Sequence, residues 1–307
     1  MRIAVPDLVT NSYFPALAAE ELGLYRAEGV DARVELLSPA TAAMAALRDG
    51  QVQGVVTGAH TALSAFPGWR GAKVVVTVAQ GTPWLLVLHA DRPADRGDVQ
   101  AVKGLRIGAA PGPDLALARL LVESGIDAAR DRVRILRVPG TERPDASFGV
   151  LAAAALESGA IDGFWANALG SETAVRRGVG RIVVDVRRGD GPPSARHYTF
   201  AALVTTDAFI ERSRAGVEAA VRAIVAAQRA LRADPGRAAE VGRKRFPPAA
   251  AEMIESLVTR DLPFYDPVVH EDAVRATNDF ARSLGLLAGP IGHDQVVDTR
   301  FRPLWTT

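Results

Sequence analysis

The stretch Ala155-Leu-Glu-Ser-Gly-Ala-Ile-Asp-Gly-Phe-Trp-Ala-Asn-Ala-Leu-Gly-Ser-Glu172 decides how the chain is read. Its first residues are good helix formers, and Gly159 is suited to the left-handed conformation that closes a last helical turn. Residues 161–165 then read as a short buried strand. Asn167 and Ser171 are then candidate caps for another helix. An aromatic side chain, an amide and a new helix N-terminus thus arrive at the C-terminal end of one strand. In open α/β sheets that is where ligands bind.

The same grammar occurs once before. Ala46-Leu-Arg-Asp-Gly-Gln-Val-Gln-Gly-Val-Val56 shares the alanine, the leucine and both glycines. Its strand, over 54–57, runs into the small polar loop Gly58-Ala-His-Thr61. A generic helix-to-strand turn would produce this pattern. So would two similar α/β lobes, each presenting a strand-to-helix loop to a shared cleft.

Composition narrows the choice. The chain has 307 residues, 48% hydrophobic and 23% charged, with a formal net charge of +1. That is room for two domains of about 150 residues each. With near-neutral charge and no basic block, nucleic acid is not expected as a partner. Cysteine is absent, which removes disulfides, thiolate nucleophiles and thiolate metal sites. No run is long and apolar enough to span a bilayer, so no membrane insertion is expected. The histidines at 60, 89, 197, 270 and 293 form no pair at ligand spacing, and no metal site is expected. Neither a G-x-S-x-G elbow nor a G-x-x-x-x-G-K-[ST] phosphate loop is present. No residue is therefore assigned as catalytic. Met1-Arg-Ile-Ala-Val5 already reads as a strand, with no basic leader and apolar core ahead of it. Either a leader has been removed or the protein is cytoplasmic as encoded.

Taken in order, strands are expected over 2–5, 31–37, 54–57, 73–79 and 85–89, with helices over 16–22 and 38–50 and another starting at His60. Residues 91–100 are polar and read as a crossing into a second lobe. That lobe holds strands over 103–108, 133–138, 161–165 and 181–186, a helix over 115–124, a loop over 139–148 and a glycine- and proline-rich turn over 187–196. Residues 198–205 read as a returning strand. The rest is helical, and 215–233 carries a 3.6-residue apolar stripe of Val217, Val221, Ile224, Val225 and Leu231. The domain division expected from this is 1–90 with 198–307 as one discontinuous lobe, and 91–197 as the other.

Five markers in the right order give a family resemblance: Glu21-Leu-Gly-Leu-Tyr-Arg-Ala-Glu-Gly-Val-Asp31, Ala46-Leu-Arg-Asp-Gly50, Val102-Lys-Gly-Leu-Arg-Ile-Gly108, the segment 120–127 and Ala155-Leu-Glu-Ser-Gly-Ala-Ile-Asp162. Over most of its length the chain resembles the substrate-binding proteins of ABC importers of the nitrate, sulfonate, taurine and thiamine-pyrimidine class. The resemblance implies a type II periplasmic-binding-protein fold, with two α/β lobes, each a mixed sheet flanked by helices, joined by two crossing strands. It implies a ligand held between lobes that close by a hinge, a permease as partner, and a periplasmic or extracytoplasmic location. Some relatives of that fold do chemistry with a cysteine nucleophile or with pyridoxal phosphate on a lysine. This chain has no cysteine, and neither Lys73, Lys103 nor Lys244 falls in an expected cleft loop, so no cofactor is expected.

Six loops face the cleft by strand order: 7–13, 38–41, 58–61, 81–84, 110–114 and 165–167. None carries Arg or Lys. Helix N-termini there favour anionic groups through free N–H donors and the helix dipole. Trp84 and Trp165, with Tyr13 and Tyr198, are placed to sandwich a flat ring. Asn11, His60, Asp114 and Asn167 are placed to read its polar edge, and Ser12, Thr41 and Thr61 are further candidate ligand-binding residues. Each has a duller reading as a core aromatic or a helix cap. The expected function is capture of a small aromatic or heterocyclic solute, with or without an acid group, for an ABC importer. The alternative is a cytosolic enzyme, a lyase or hydrolase using His60 with Asp114 as acid and base or a biosynthetic enzyme, or a ligand sensor on the same fold.

Overall fold

The computed structural model describes residues 1–8, 10–141 and 147–306; the middle of the loop expected over 139–148 lies outside them. The chain opens with β1 (Arg2–Val5), α1 (Phe14–Glu21), α2 (Leu24–Ala27), β2 (Arg33–Leu36), α3 (Ala40–Arg48), β3 (Gly54–Gly58) and β4 (Ala72–Ala79). There follow β5 (Leu85–His89), β6 (Arg106–Ala109), α4 (Pro113–Glu123), β7 (Arg134–Leu136), α5 (Phe148–Glu157), β8 (Gly163–Ala166), α6 (Ala168–Arg176) and β9 (Gly180–Asp185). β10 (Ala201–Thr206) then leads into α7 (Asp207–Arg212), α8 (Arg214–Ala233), α9 (Gly236–Arg245), α10 (Pro248–Asp261), α11 (Glu271–Ser283) and α12 (His293–Val296).

Two compact units result: Met1–Gly81 with Tyr198–Thr307, and Thr82–His197. The chain changes unit at Gly81/Thr82, not in the polar segment 91–100. β5 consequently lies in the second sheet, bonded to β8 and β9, although its sequence position suggested the first lobe. The polarity of 91–100 is that of a surface turn and a short 3-10 helix, Val99–Val102.

Both sheets have five strands and one plan. The first runs β2-β1-β3-β10-β4 and the second β7-β6-β8-β5-β9. In each, one strand next to the edge opposes all the others: β10 is antiparallel to β3 and β4, and β5 to β8 and β9. β3 and β8 hold the same place, and they are the strands of the two matching stretches.

The match extends to side-chain bonds. In the first unit the Arg2 amide donates to Gln53 Oε1 at 2.8 Å and Arg2 Nη1 to the Gln51 carbonyl at 3.0 Å. In the second the Arg106 amide donates to Asp162 Oδ2 at 2.9 Å and Arg106 Nη1 to the Ala160 carbonyl at 3.0 Å. An arginine opening β1 in one unit and β6 in the other thus clamps the turn that leads into β3 and β8, respectively. The second glycine of each stretch serves packing as well. A Cβ on Gly54 would stand 2.9 Å from Leu203 of β10, and one on Gly163 would stand 2.6 Å from Leu88 of β5. These shared contacts make the two stretches a true internal repeat.

Burial follows the apolar pattern. The stripe of α8 is fully buried in a core with Leu17, Val55, Val56, Val75 and Leu203. In the second unit Val87, Leu156, Ile161, Phe164 and Ala174 form a smaller core. α5 and α6 meet at two glycines: a Cβ on Gly149 would lie 2.6 Å from the Gly170 Cα. Only glycine at both positions permits that approach, and it fixes where α6 begins.

Strand directions define one rim of strand ends per unit. In the first, the ends of β1, β2, β3 and β4 and the start of β10 share an edge. In the second, the ends of β6, β7, β8 and β9 and the start of β5 do.

Candidate functional site

The rim of the first unit gathers Asn11, Ser12 and Tyr13 after β1, His60 and Thr61 after β3, and Tyr198 before β10. Where a helix was expected after β3 there is a 3-10 turn, Ala59–Ser64. It holds His60 almost entirely buried. The imidazole Nδ1 lies 2.9 Å from Thr199 Oγ1, because Ala201 pairs with Gly58 in register. Its ring meets Phe280 edge-on at 5.5 Å, and Phe280 stacks on Tyr198 at 4.6 Å. Burial disfavours the charged ring and pushes its pKa down to about 4. His60 is therefore a neutral group at pH 7. Thr61 Oγ1 donates to the Gly58 carbonyl at 2.5 Å.

Asn11 is tied to the distant end of α10. Its Nδ2 donates to Asp261 Oδ2, and its carbonyl accepts from the Tyr265 hydroxyl at 2.7 Å. Because a carboxylate demands a donor, the amide orientation is fixed, and Oδ1 is left buried without a hydrogen-bond partner. Ser12 is fully buried and Tyr13 half-buried. Thr41 is exposed on the first turn of α3.

The rim of the second unit brings Trp84, Trp165 and Asn167 together. Leu86 pairs with Trp165 and Leu85 with Ala166. That register sets Trp84, just before β5, against the end of β8. The two indoles touch, with centroids 6.2 Å apart and planes inclined at 47°. They form one aromatic wall and not two plates separated by a ring-wide gap. Trp165 is fully buried, yet its Nε1 has no hydrogen-bond partner. Asn167 caps α6, its Oδ1 accepting from the Gly170 amide at 3.3 Å, and Ser171 Oγ donates to the Asn167 carbonyl at 3.0 Å. Asp114 lies in the first turn of α4, where its Oδ1 accepts from the amides of Gly112 at 2.8 Å and Leu115 at 2.9 Å. Gly112 has φ +96°, a conformation open to glycine and strained for other residues.

Sequence reasoning passed over several residues at these rims. Arg187 is 2% exposed, two positions past the end of β9, in a segment that reads as a surface turn. The buried Asp185 beside it pairs with Arg188 Nη1 at 2.9 Å and lies 4.0 Å from Arg96. The strand-end position of 186–188 was the available signal for Arg187. Asp261, Tyr265 and Phe280 left no signal, since their partners are far away in sequence. Among the described residues no cluster of His, Cys, Asp or Glu could hold a metal ion, and no helix is long and apolar enough to cross a membrane.

Two mixed sheets of one topology, each with aromatic and amide groups at its strand ends, have the architecture of ABC-importer binding proteins. The sequence profile of the NMT1-like family matches residues 8–243, and the chain belongs to that family. No curated protein matches it in sequence. Among solved structures it is similar to the periplasmic nitrate-binding protein NrtA from Synechocystis PCC 6803, at 13% identity over 99% of this chain and 87% of that one, with a TM-score of 0.77. It is similar to the putative periplasmic sulfonate-binding protein SsuA from Methylobacillus flagellatus KT, at 19% identity over 99% and 92%, with a TM-score of 0.67. It is also similar to the desulfurization enzyme DSZB, at 16% identity over 99% of both chains, with a TM-score of 0.65. At these identities the likeness is one of fold. The resemblance drawn from the five sequence markers agrees with these neighbours.

Proposed function

We propose that this protein captures a small organic solute outside the cytoplasm and delivers it to an ABC permease. The solute is aromatic or heterocyclic, with or without an acid group. The observation that carries this reading is the aromatic wall of Trp84 and Trp165 at the strand-end rim of the second unit, beside the N-terminus of α6. Such rims are where α/β sheets receive ligands, and indoles supply contact area of fixed geometry. The nitrate- and sulfonate-binding neighbours support solute capture as the general task.

A thermal-shift screen against aromatic acids, aliphatic sulfonates and pyrimidines tests this, because a ligand that binds only the folded chain raises its melting point. A rise confined to ring compounds is the expected result. A rise confined to aliphatic sulfonates removes the aromatic assignment. A new product found by mass spectrometry after incubation with a ligand, and lost in His60→Ala, replaces capture with catalysis.

A further inference from the structure

We propose that the second unit holds a separate small-molecule site at the edge of its sheet opposite the strand-end rim, and that this site takes a zwitterion, an α-amino acid with an apolar side chain, whose carboxylate meets Arg92 and whose ammonium meets Asp91. The site is distinct from solute capture at the rim and does not rest on it. A cavity of about 390 Å3 lies there, its lining including His89, Asp91, Arg92, Pro93, Ile161 and Asp162. That volume is in the range of small-molecule sites. Strand pairing fixes its place. Leu88, next to His89 at the end of β5, pairs with Gly163 at the start of β8, and Gly163 pairs in turn with Ile107 of β6. The cavity therefore sits where β6 and β8 begin and β5 ends.

The charges of the lining divide into those already spent and those on offer. Asp162 is spent. Its Oδ2 accepts from the Arg106 amide and Nε, both at 2.9 Å, and its Oδ1 from Arg106 Nη2 at 3.1 Å and Arg92 Nη2 at 3.0 Å. A carboxylate has about four lone-pair sites, and here each is taken. One negative charge is thereby shared by two guanidinium groups. Arg106 commits its remaining fork to the carbonyls of Ala160 and Gly159. Arg92 commits one side-chain N–H, to Asp162, and its side chain is 46% exposed. Arg92 is thus the cation with donors left for a guest, and its planar fork suits a carboxylate.

The anion on offer is Asp91, whose side chain is 91% exposed. Among the described residues it forms no ion pair with an arginine or a lysine; its nearest charged or titratable neighbour is His89 Nδ1, 3.6 Å from Oδ2. That ring nitrogen accepts from the Asp91 amide at 3.3 Å, which assigns the hydrogen of the neutral ring to Nε2. A neutral imidazole leaves the Asp91 charge unbalanced. Adjacent residues at one cavity thus present one positive and one negative charge, each with bonding capacity to spare. A simple acid there would meet the repulsion of Asp91, and a simple amine that of Arg92. A molecule carrying both charges satisfies both, and Pro93 and Ile161 supply apolar contact for its side chain.

The test uses L-leucine, L-leucinamide, which lacks the carboxylate, and N-acetyl-L-leucine, which lacks the ammonium. Affinities are measured by calorimetry on the full chain and on Asp91→Asn and Arg92→Gln. The His89 imidazole resonances are followed by NMR and assigned with His89→Gln. Wild type should bind leucine about tenfold more tightly than either derivative. Asp91→Asn should weaken leucine about tenfold and leave N-acetyl-leucine within about twofold, and Arg92→Gln should do the same with leucinamide as the unaffected probe. Leucine should also move the His89 resonances. Equal affinity of wild type for the three probes would overturn the site, and so would no binding of leucine. Leucine binding that leaves the His89 resonances in place, or that Asp91→Asn does not weaken, would overturn it too, since the amino acid is then held elsewhere. Asp91 is so exposed that its amide variant keeps the fold, and ring compounds bound at the rim should bind that variant as they do wild type. Loss of ring binding alone in wild type would count against solute capture and leave this site standing.

Discussion

His60 shows how one buried group ties the site to the stability of the fold. Its folded pKa of about 4 lies below the ordinary value of 6.5. The unfolded chain therefore binds a proton on this ring at a higher pH than the folded chain does. The sign follows: the neutral ring's contribution is complete above pH 6.5, falls as the pH drops from there, and is gone below about 4. The shift corresponds to about 3 kcal/mol as an upper figure. His60→Gln should flatten the dependence of the melting midpoint on pH between 6.5 and 4, and matching wild-type and variant slopes would contradict this. Ligand affinity should not change between pH 6 and 8 on account of His60. Trp165→Ala should weaken ring binding more than tenfold by calorimetry and leave far-UV circular dichroism unchanged; intact affinity would take Trp165 out of the site. The substitution removes a ring that contacts Trp84 and opens a void in the wall.

Among the elements, the turn from α5 into β8 carries the most information. Asp162 accepts from the Arg106 amide and Nε, both at 2.9 Å, and from Arg92 Nη2 at 3.0 Å. The Arg106 side-chain bond leads in drawing its pKa down to about 2. Its contribution is present above pH 3.8 and is lost as the pH falls through about 2. At pH 7, Asp162→Asn should lower stability by about 1–3 kcal/mol, read from the urea midpoint at an unchanged slope. Gly163→Ala should lower it by a similar amount, about 1–3 kcal/mol, because a Cβ there would lie 2.6 Å from the Val87 carbonyl oxygen. A neutral result for Gly163→Ala would mean that β5 shifts freely against β8. The repeat was legible in the sequence because helix closure, strand and glycine fall at fixed spacing. The crossing was misplaced because a polar stretch is easier to see than a short turn such as Gly81-Thr82-Pro83. Trp84, Trp165 and Asn167 announced themselves as unusual residues at strand ends. Arg187 did not, since a charged residue after a strand ordinarily reads as a solvated turn. The Asn11–Asp261 contact joins residues 250 positions apart, and no local pattern encodes it.

Across the whole molecule, each unit has its own hydrophobic core and its own pair of tryptophans: Trp69 and Trp305 in the first, Trp84 and Trp165 in the second. The first core is the larger. Urea unfolding followed by fluorescence should give a lower midpoint in Trp69→Phe/Trp305→Phe, which reports the second unit, than in Trp84→Phe/Trp165→Phe, which reports the first. Both pairs must first match wild type in circular dichroism, since Trp69 Nε1 donates to Asn278 and Trp305 Nε1 to the Val75 carbonyl. Coincident midpoints would show one cooperative unit.

The strand that reverses direction in each sheet has a consequence for biosynthesis. β5 leaves the ribosome ahead of its partners, so the second sheet is complete once β9 has emerged. β10 emerges only after all of these, and until then β3 and β4 have no strand between them. A growing polypeptide thus finishes the sheet it began second before the one it began first. For much of translation the earlier half keeps two valine-rich strand edges open, to be protected from neighbouring chains until residue 206 arrives.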